Sequence, residues 1–203
     1  MKNLPYRGLY THLEITEETE MADYDFEKLS VLIVEDSLFI RSLLINSLRI
    51  LGVGKVFAVE DGGEAINFLK QVKEDPMKVG TQEVDIVMSN WQMSPVDGMI
   101  LLRWARRHKE SPDRFIPFIM ITGFSEPKRV QEARDMGVTE FLAKPFTIQA
   151  IGNKLISIIE RQRQFVHTRS YFGPDRRRRQ ADIDFEDRRV LTDKSPGVEI
   201  VRG

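Results

Sequence analysis

The chain has 203 residues, 41% of them apolar, which suffices for one globular domain with about 50 residues to spare and excludes a wholly disordered protein. It contains no cysteine, so disulfides, thiolate metal sites and cysteine nucleophiles are excluded, and a reducing cytoplasm is the expected location. The net charge of −1 hides an asymmetry: residues 1–28 carry seven acidic and three basic side chains, residues 161–203 seven acidic and eleven basic. Such ends point to charged partners, or to each other, rather than to a nucleic-acid-binding core.

Residues 1–28 have few periodic apolar positions and a run of Glu and Thr, and read as a flexible acidic arm. Glu14, Glu17, Glu18 and Glu20 stand where a signal peptide would be apolar, and no run reaches the ~18–20 apolar residues of a membrane helix, so membrane insertion is not expected. From Leu29 the texture changes. LSVLIVEDS is an apolar strand that stops at two carboxylates, Glu35 and Asp36, with Ser37 placed to cap a helix. That helix sets Ile40, Leu43, Leu44, Ser47, Leu48 and Leu51 on one face and ends at Gly52. KVFAVED is a second strand, followed through Gly62 and Gly63 by a helix with Ala65, Ile66 and Leu69 inward. A charged loop with Pro76 and Gly80 leads to VDIVMSN, a buried strand that ends abruptly at Asn90 before the turn of Ser94, Pro95, Asp97 and Gly98. The next helix buries either Met99, Leu102 and Ala105 or a set including Ile100 and Trp104, and directs Arg103, Arg106, Arg107 and Lys109 outward. FIPFIMITG is the fourth strand, ending at Thr122; a polar helix around Lys128–Met136 follows, then the short strand TEFLAKPF and a last helix from Thr147 to about Arg163.

Five strands alternating with five helices predict an α/β fold, a doubly wound parallel sheet with helices on both faces. Right-handed crossovers then gather Glu35, Asp36, Asn90, Thr122 and Lys144 at the carboxyl edge of the sheet, where such folds bind ligands. The histidines at 12, 108 and 167 share no metal-ligand spacing.

The span from about Leu29 to Arg161 resembles the CheY-like receiver domain of bacterial response regulators, the flavodoxin-like module of two-component phosphorelays. The resemblance rests on VLIVEDS, SNWQMSPVDG, MITG and EFLAKPF, in that order. It divides the chain into an arm (1–28), a receiver-like domain (29–162) and an arginine-rich tail (163–203). It implies an acidic pair at Glu35 and Asp36 that helps hold magnesium, a switch hydroxyl at Thr122 with a mobile aromatic at Phe141, and a phosphate-binding ammonium at Lys144. An aromatic at 141 is equally what half-buried packing would select. The phosphoacceptor position falls on Asn90, and an amide does not attack phosphorus: its oxygen bears no formal charge and its nitrogen lone pair is delocalised. An engineered block of phosphorylation would leave the same residue. With two carboxylates in place of three, only weak magnesium binding is expected and no other cofactor. Ser89, one residue earlier on the strand, points to the other face and does not replace the acceptor.

The implied function is that of a stand-alone pseudo-receiver, not an enzyme, acting by contact with a histidine kinase or another signalling protein through the fourth helix, fifth strand and fifth helix. In the tail, Arg176, Arg177, Arg178, Arg179, Arg188 and Arg189 support a second reading. Forked guanidinium bonds and the stacking faces of Tyr171 and Phe172 suit an anion such as cyclic di-GMP. Interspersed acids count against DNA, and a solvated, unstructured tail is the alternative.

Overall fold

The computed structural model describes residues 24–81, 83–123, 127–160, 164–168, 171–175 and 199–201. Strands β1 (Ser30–Val34), β2 (Lys55–Val59), β3 (Ile86–Asn90), β4 (Phe118–Thr122) and β5 (Glu140–Ala143) alternate with helices α1 (Leu38–Ile50), α2 (Gly62–Glu74), α3 (Gly98–Arg107), α4 (Pro127–Met136) and α5 (Ile148–Glu160). The strands pair in parallel in the order β2-β1-β3-β4-β5, the flavodoxin-like arrangement. The chain reverses its direction of travel across the sheet between β1 and β3, which leaves a crevice beyond their carboxyl ends.

Alternation along the strands builds the two cores. Leu32, Val34, Val87, Phe118 and Met120 face Ala65, Leu69, Leu101, Leu102 and Ala105 from α2 and α3. Val31, Ile33, Ile86, Met88, Ile119 and Ile121 face Leu44, Leu48, Ile151 and Leu155 from α1 and α5. Four of the five helices start at side-chain caps that satisfy otherwise orphaned amides: Ser37 accepts from Ile40 N, Asp61 from Gly63 N and Glu64 N, Asp97 from Ile100 N, and Thr147 from Ala150 N.

Several expectations are corrected. The charged loop after α2 contains a helical turn, Pro76–Val79, capped by Asp75 and closed by Gly80 in the left-handed region. Leu43 is 41% exposed rather than inward, because the α1 face against the sheet is narrowed to Leu44, Ser47 and Leu48. The arm does not extend to residue 28: Phe26 is 3% exposed, and its carbonyl accepts from Leu29 N and Gly54 N. Residues 1–23 lie outside the described residues.

The larger correction concerns Arg106 and the segment from 163 onward. Arg106 does not face out; it is fully buried. Its Nε donates to Gly137 O at 3.0 Å and its Nη1 to Arg114 O at 3.0 Å, with the Phe165 ring 5.4 Å away. The tail supplies that cover. Strands β6 (Phe165–His167), β7 (Phe172–Pro174) and β8 (Glu199–Val201) form an antiparallel sheet in the order β7-β6-β8. Phe165 and Phe172 pack edge-on to Phe115, at 5.0 and 5.4 Å between ring centres, and the Arg114 guanidinium lies 4.1 Å over Phe172. Burying two phenylalanines is worth about 2–3 kcal/mol each, enough to order short strands. The contact requires bare backbone: a Cβ on Gly173 would lie 2.7 Å from Gly137 Cα, and Gly137 itself has φ +95°.

Candidate functional site

Strand alternation decides which side chains meet. Ile33, Met88 and Leu142 share one core, so the residues two positions on, Glu35, Asn90 and Lys144, emerge on the same side at the carboxyl edge. Glu35 is 1% exposed. Its backbone N–H donates to Val59 O, and its carbonyl accepts from Arg41 Nη1 at 2.7 Å; Arg41 Nη2 also reaches Glu60 at 2.8 Å. Beyond Asn90 the chain turns into α3 so tightly that a Cβ on Gly98 would stand 2.3 Å from Asn90 O and 3.0 Å from Ser89 Oγ. Only glycine lets the helix start this close to the strand that carries residue 90.

Asn90 is tied on both sides. Its Nδ2 donates to Glu35 Oε1 at 3.2 Å, Asp36 Oδ1 at 3.1 Å and Gln92 O at 2.8 Å, while its Oδ1 accepts from Lys144 Nζ at 3.2 Å. The reverse orientation would face the amide oxygen to two carboxylates and the NH2 to an ammonium, so the charges around it fix the amide. Lys144 Nζ also donates to Glu35 Oε2 at 2.8 Å, making it a bridge between the strand ends of β1 and β3. Burial pushes the Glu35 carboxyl above the usual carboxylate range, and the Lys144 hydrogen bond only partly opposes it. For Asp36 burial also acts upward, but the hydrogen bonds from Glu35 and the Asn90 amide outweigh it and the carboxyl is lowered.

As a metal site this arrangement fits poorly. Among the described residues no group of three or more His, Cys, Asp or Glu could hold a metal ion, and the point where carboxylate oxygens and a backbone carbonyl converge is filled by an N–H donor. Magnesium requires oxygen donors; to supply one, Asn90 would have to rotate and surrender Lys144.

Residues 31–156 match the family model of the response regulator receiver domain. The chain belongs to that family. It is 30% identical over 135 residues to the chemotaxis protein CheY-3 of Vibrio cholerae, covering 66% of this chain and 95% of that one. The solved structure of Vibrio cholerae CheY4, a chemotaxis protein, superposes with a TM-score of 0.54 at 25% identity, covering 64% of this chain and 98% of that one. The receiver domain of a sensor histidine kinase from Pseudomonas aeruginosa, solved with magnesium in its active-site cleft, has the same fold at 23% identity and a TM-score of 0.51, with 64% and 94% covered. The protein is therefore a response regulator receiver domain of two-component signalling, CheY-like in its sheet and helices.

Within this receiver the structure brings together four of the six expected site residues, Glu35, Asp36, Asn90 and Lys144. Thr122 ends β4 at 4% exposure, and its carbonyl accepts from Lys144 N at 2.8 Å. Thr122 and Phe141 belong by alternation to the α2–α3 side, where Phe141 is half-buried against the core. Arg176–Arg179, Arg188 and Arg189 lie outside the described residues, so the nucleotide-binding expectation gains nothing from the fold. Sequence reasoning missed Arg41 and the Gln92 carbonyl. Arg41 sits on the first turns of α1, and only the packing of that helix beside the Glu35 carbonyl and Glu60, just past β2, gives it a role; a backbone carbonyl leaves no trace in side-chain patterns. Among the described residues no helix is long and apolar enough to cross a membrane.

Proposed function

We propose that this receiver is not phosphorylated at residue 90 and signals as a pseudo-receiver, by protein contact with a histidine kinase or another signalling protein. The observation that carries this reading is the Asn90 side chain, whose nitrogen holds the acidic pair and Gln92 O in the place of a cation while its oxygen occupies Lys144. The amide thus supplies from within the chain the cross-links a phosphoryl group and metal would make, leaving no nucleophile and weak magnesium binding. No enzymatic turnover is part of this reading. The exposed apolar side chains nearest the site support contact as the output: Leu38 and Phe39 on the first turn of α1 are 69% and 76% exposed, and Ile148 on the first turn of α5 is 37% exposed. Ile159 at the far end of α5, the helix that packs on β5, is 39% exposed. The test is intact mass after incubation with acetyl phosphate and magnesium. Freshly made protein should carry no phosphoryl adduct on the peptide containing residue 90, whereas Asn90→Asp should gain one; an adduct on Asn90 protein sinks the reading.

A further inference from the structure

Asn90 is held between an ammonium on its amide oxygen and two carboxylates on its amide nitrogen. We propose that Asn90 is a self-modification site, whose side-chain amide is slowly hydrolysed in the folded protein to the aspartate that a receiver needs as acceptor. The inference rests on the reading above, that the encoded asparagine is itself inert to phosphoryl donors.

Amide hydrolysis needs a group that stabilises negative charge on the carbonyl oxygen, a base that activates water, and a proton for the leaving nitrogen. Lys144 Nζ stands 3.2 Å from Oδ1, where that charge develops. Asp36 Oδ1 accepts from Nδ2 at 3.1 Å, and Asp36 is exposed, so solvent has access to the carboxylate that holds the amide nitrogen. Glu35 Oε1, 3.2 Å from Nδ2, and Gln92 O, at 2.8 Å, fix the plane of the amide against both. The water oxygen bonds to Cγ, its proton passes to the Asp36 carboxylate and on to Nδ2, the Cγ–Nδ2 bond breaks and ammonia leaves. No oxidant, metal or further reactant is required, and the reaction runs once per molecule.

The usual route of asparagine loss is closed here. It requires the following backbone nitrogen to attack Cγ, but Trp91 N is committed to Ile121 O at 2.9 Å and residue 90 is held in β3. Hydrolysis through water therefore yields only aspartate, whereas backbone attack yields isoaspartate as well. Asn46, exposed on α1 and followed by Ser47, has none of these neighbours and serves as an internal reference for background loss.

The experiment incubates the full chain in heavy-oxygen water and follows the peptides containing residues 90 and 46 by mass, with Asn90→Asp as the product standard. Expected is conversion of residue 90 faster than residue 46, with one heavy oxygen in its side chain, aspartate as sole product, and acetyl-phosphate acceptance rising in proportion. In urea the advantage over Asn46 should vanish, and in Lys144→Ala the rate should fall about a hundredfold, as for loss of an oxyanion donor. Should Lys144→Ala fail to fold, Asp36→Asn at an exposed position gives the same loss. Unchanged mass at residue 90, isoaspartate there, or release of ammonia with Lys144 joined to Asn90 each overturns the proposal. Unchanged mass in fresh protein that also refuses phosphoryl transfer defeats this inference alone and leaves the pseudo-receiver reading standing.

Discussion

The two ends of α3 lie by two cations of unequal burial, handled in opposite ways. Near its start, Lys144 is a quarter exposed and neutralised by the Glu35 carboxylate and a polar amide. At its end, Arg106 is fully buried, bonded to two neutral carbonyls and enclosed by Phe165, with no carboxylate in hydrogen-bond reach and its Nη2 unpartnered among the described residues. Burial lowers the Arg106 pKa to about 10, with the Asp113 charge opposing it, so the guanidinium remains charged at neutral pH. A lysine paired with one carboxylate and an amide at a solvent edge can exchange partners, which suits a site; an arginine locked between carbonyls and rings cannot, which suits a foundation. The difference teaches that a buried charge points to function where it has a counter-charge at a solvent edge, and to structure where it is satisfied by backbone alone.

The strongest way to break this comparison is Arg106→Ala. It leaves Gly137 O and Arg114 O unpaired beneath the C-terminal sheet and opens a cavity, and should cost about 3–5 kcal/mol in urea unfolding. Phe172→Ala comes next: it removes the ring over which Arg114 stacks and should cost about 3 kcal/mol, with near-ultraviolet dichroism changing while the parallel sheet persists. Asn90→Asp sharpens the other side of the contrast. A third carboxylate replaces the donor shared by Glu35 and Asp36, so metal-free stability should fall by about 1–3 kcal/mol and return on adding magnesium, with little magnesium effect on the Asn90 protein.

The smallest effect is in pH dependence. Glu35 has a raised folded pKa, so its contribution is fully present below its ordinary value of 4.5 and is lost as pH rises through the raised value. Asp36 is lowered and acts in the reverse sense, its contribution present above 3.8 and lost as pH falls through the lowered value. Relative to Glu35→Gln, wild-type protein should lose stability as pH climbs above 4.5; a gain over that range would contradict the burial of Glu35.

The parallel sheet was legible because each strand is an apolar run ended by a polar residue, and those terminal residues are the site. Glu35, Asn90 and Lys144 needed only strand alternation and a common edge to be placed together. Arg106 was not legible although it lies on the helical stripe of Met99 and Leu102, because a charge is read as outward unless its partners are known. Those partners, Gly137, Arg114 and Phe165, are distant in sequence or are backbone. The C-terminal strands were missed for a related reason: three residues are too few to show a period of two, and aromatic contacts with Phe115 decide them.

The pairing pattern also carries a consequence for the order of folding. Every pairing in the main sheet is parallel and spans a crossover, so none can form as a hairpin before its helix is in place. The β6–β7 pair is local, turning where Thr168 N donates to Tyr171 O at 2.8 Å, yet its apolar face has nothing to rest on until Arg106, Phe115 and Gly137 are assembled. The most local strand pair among the described residues is thus the last to gain protection against hydrogen exchange during refolding.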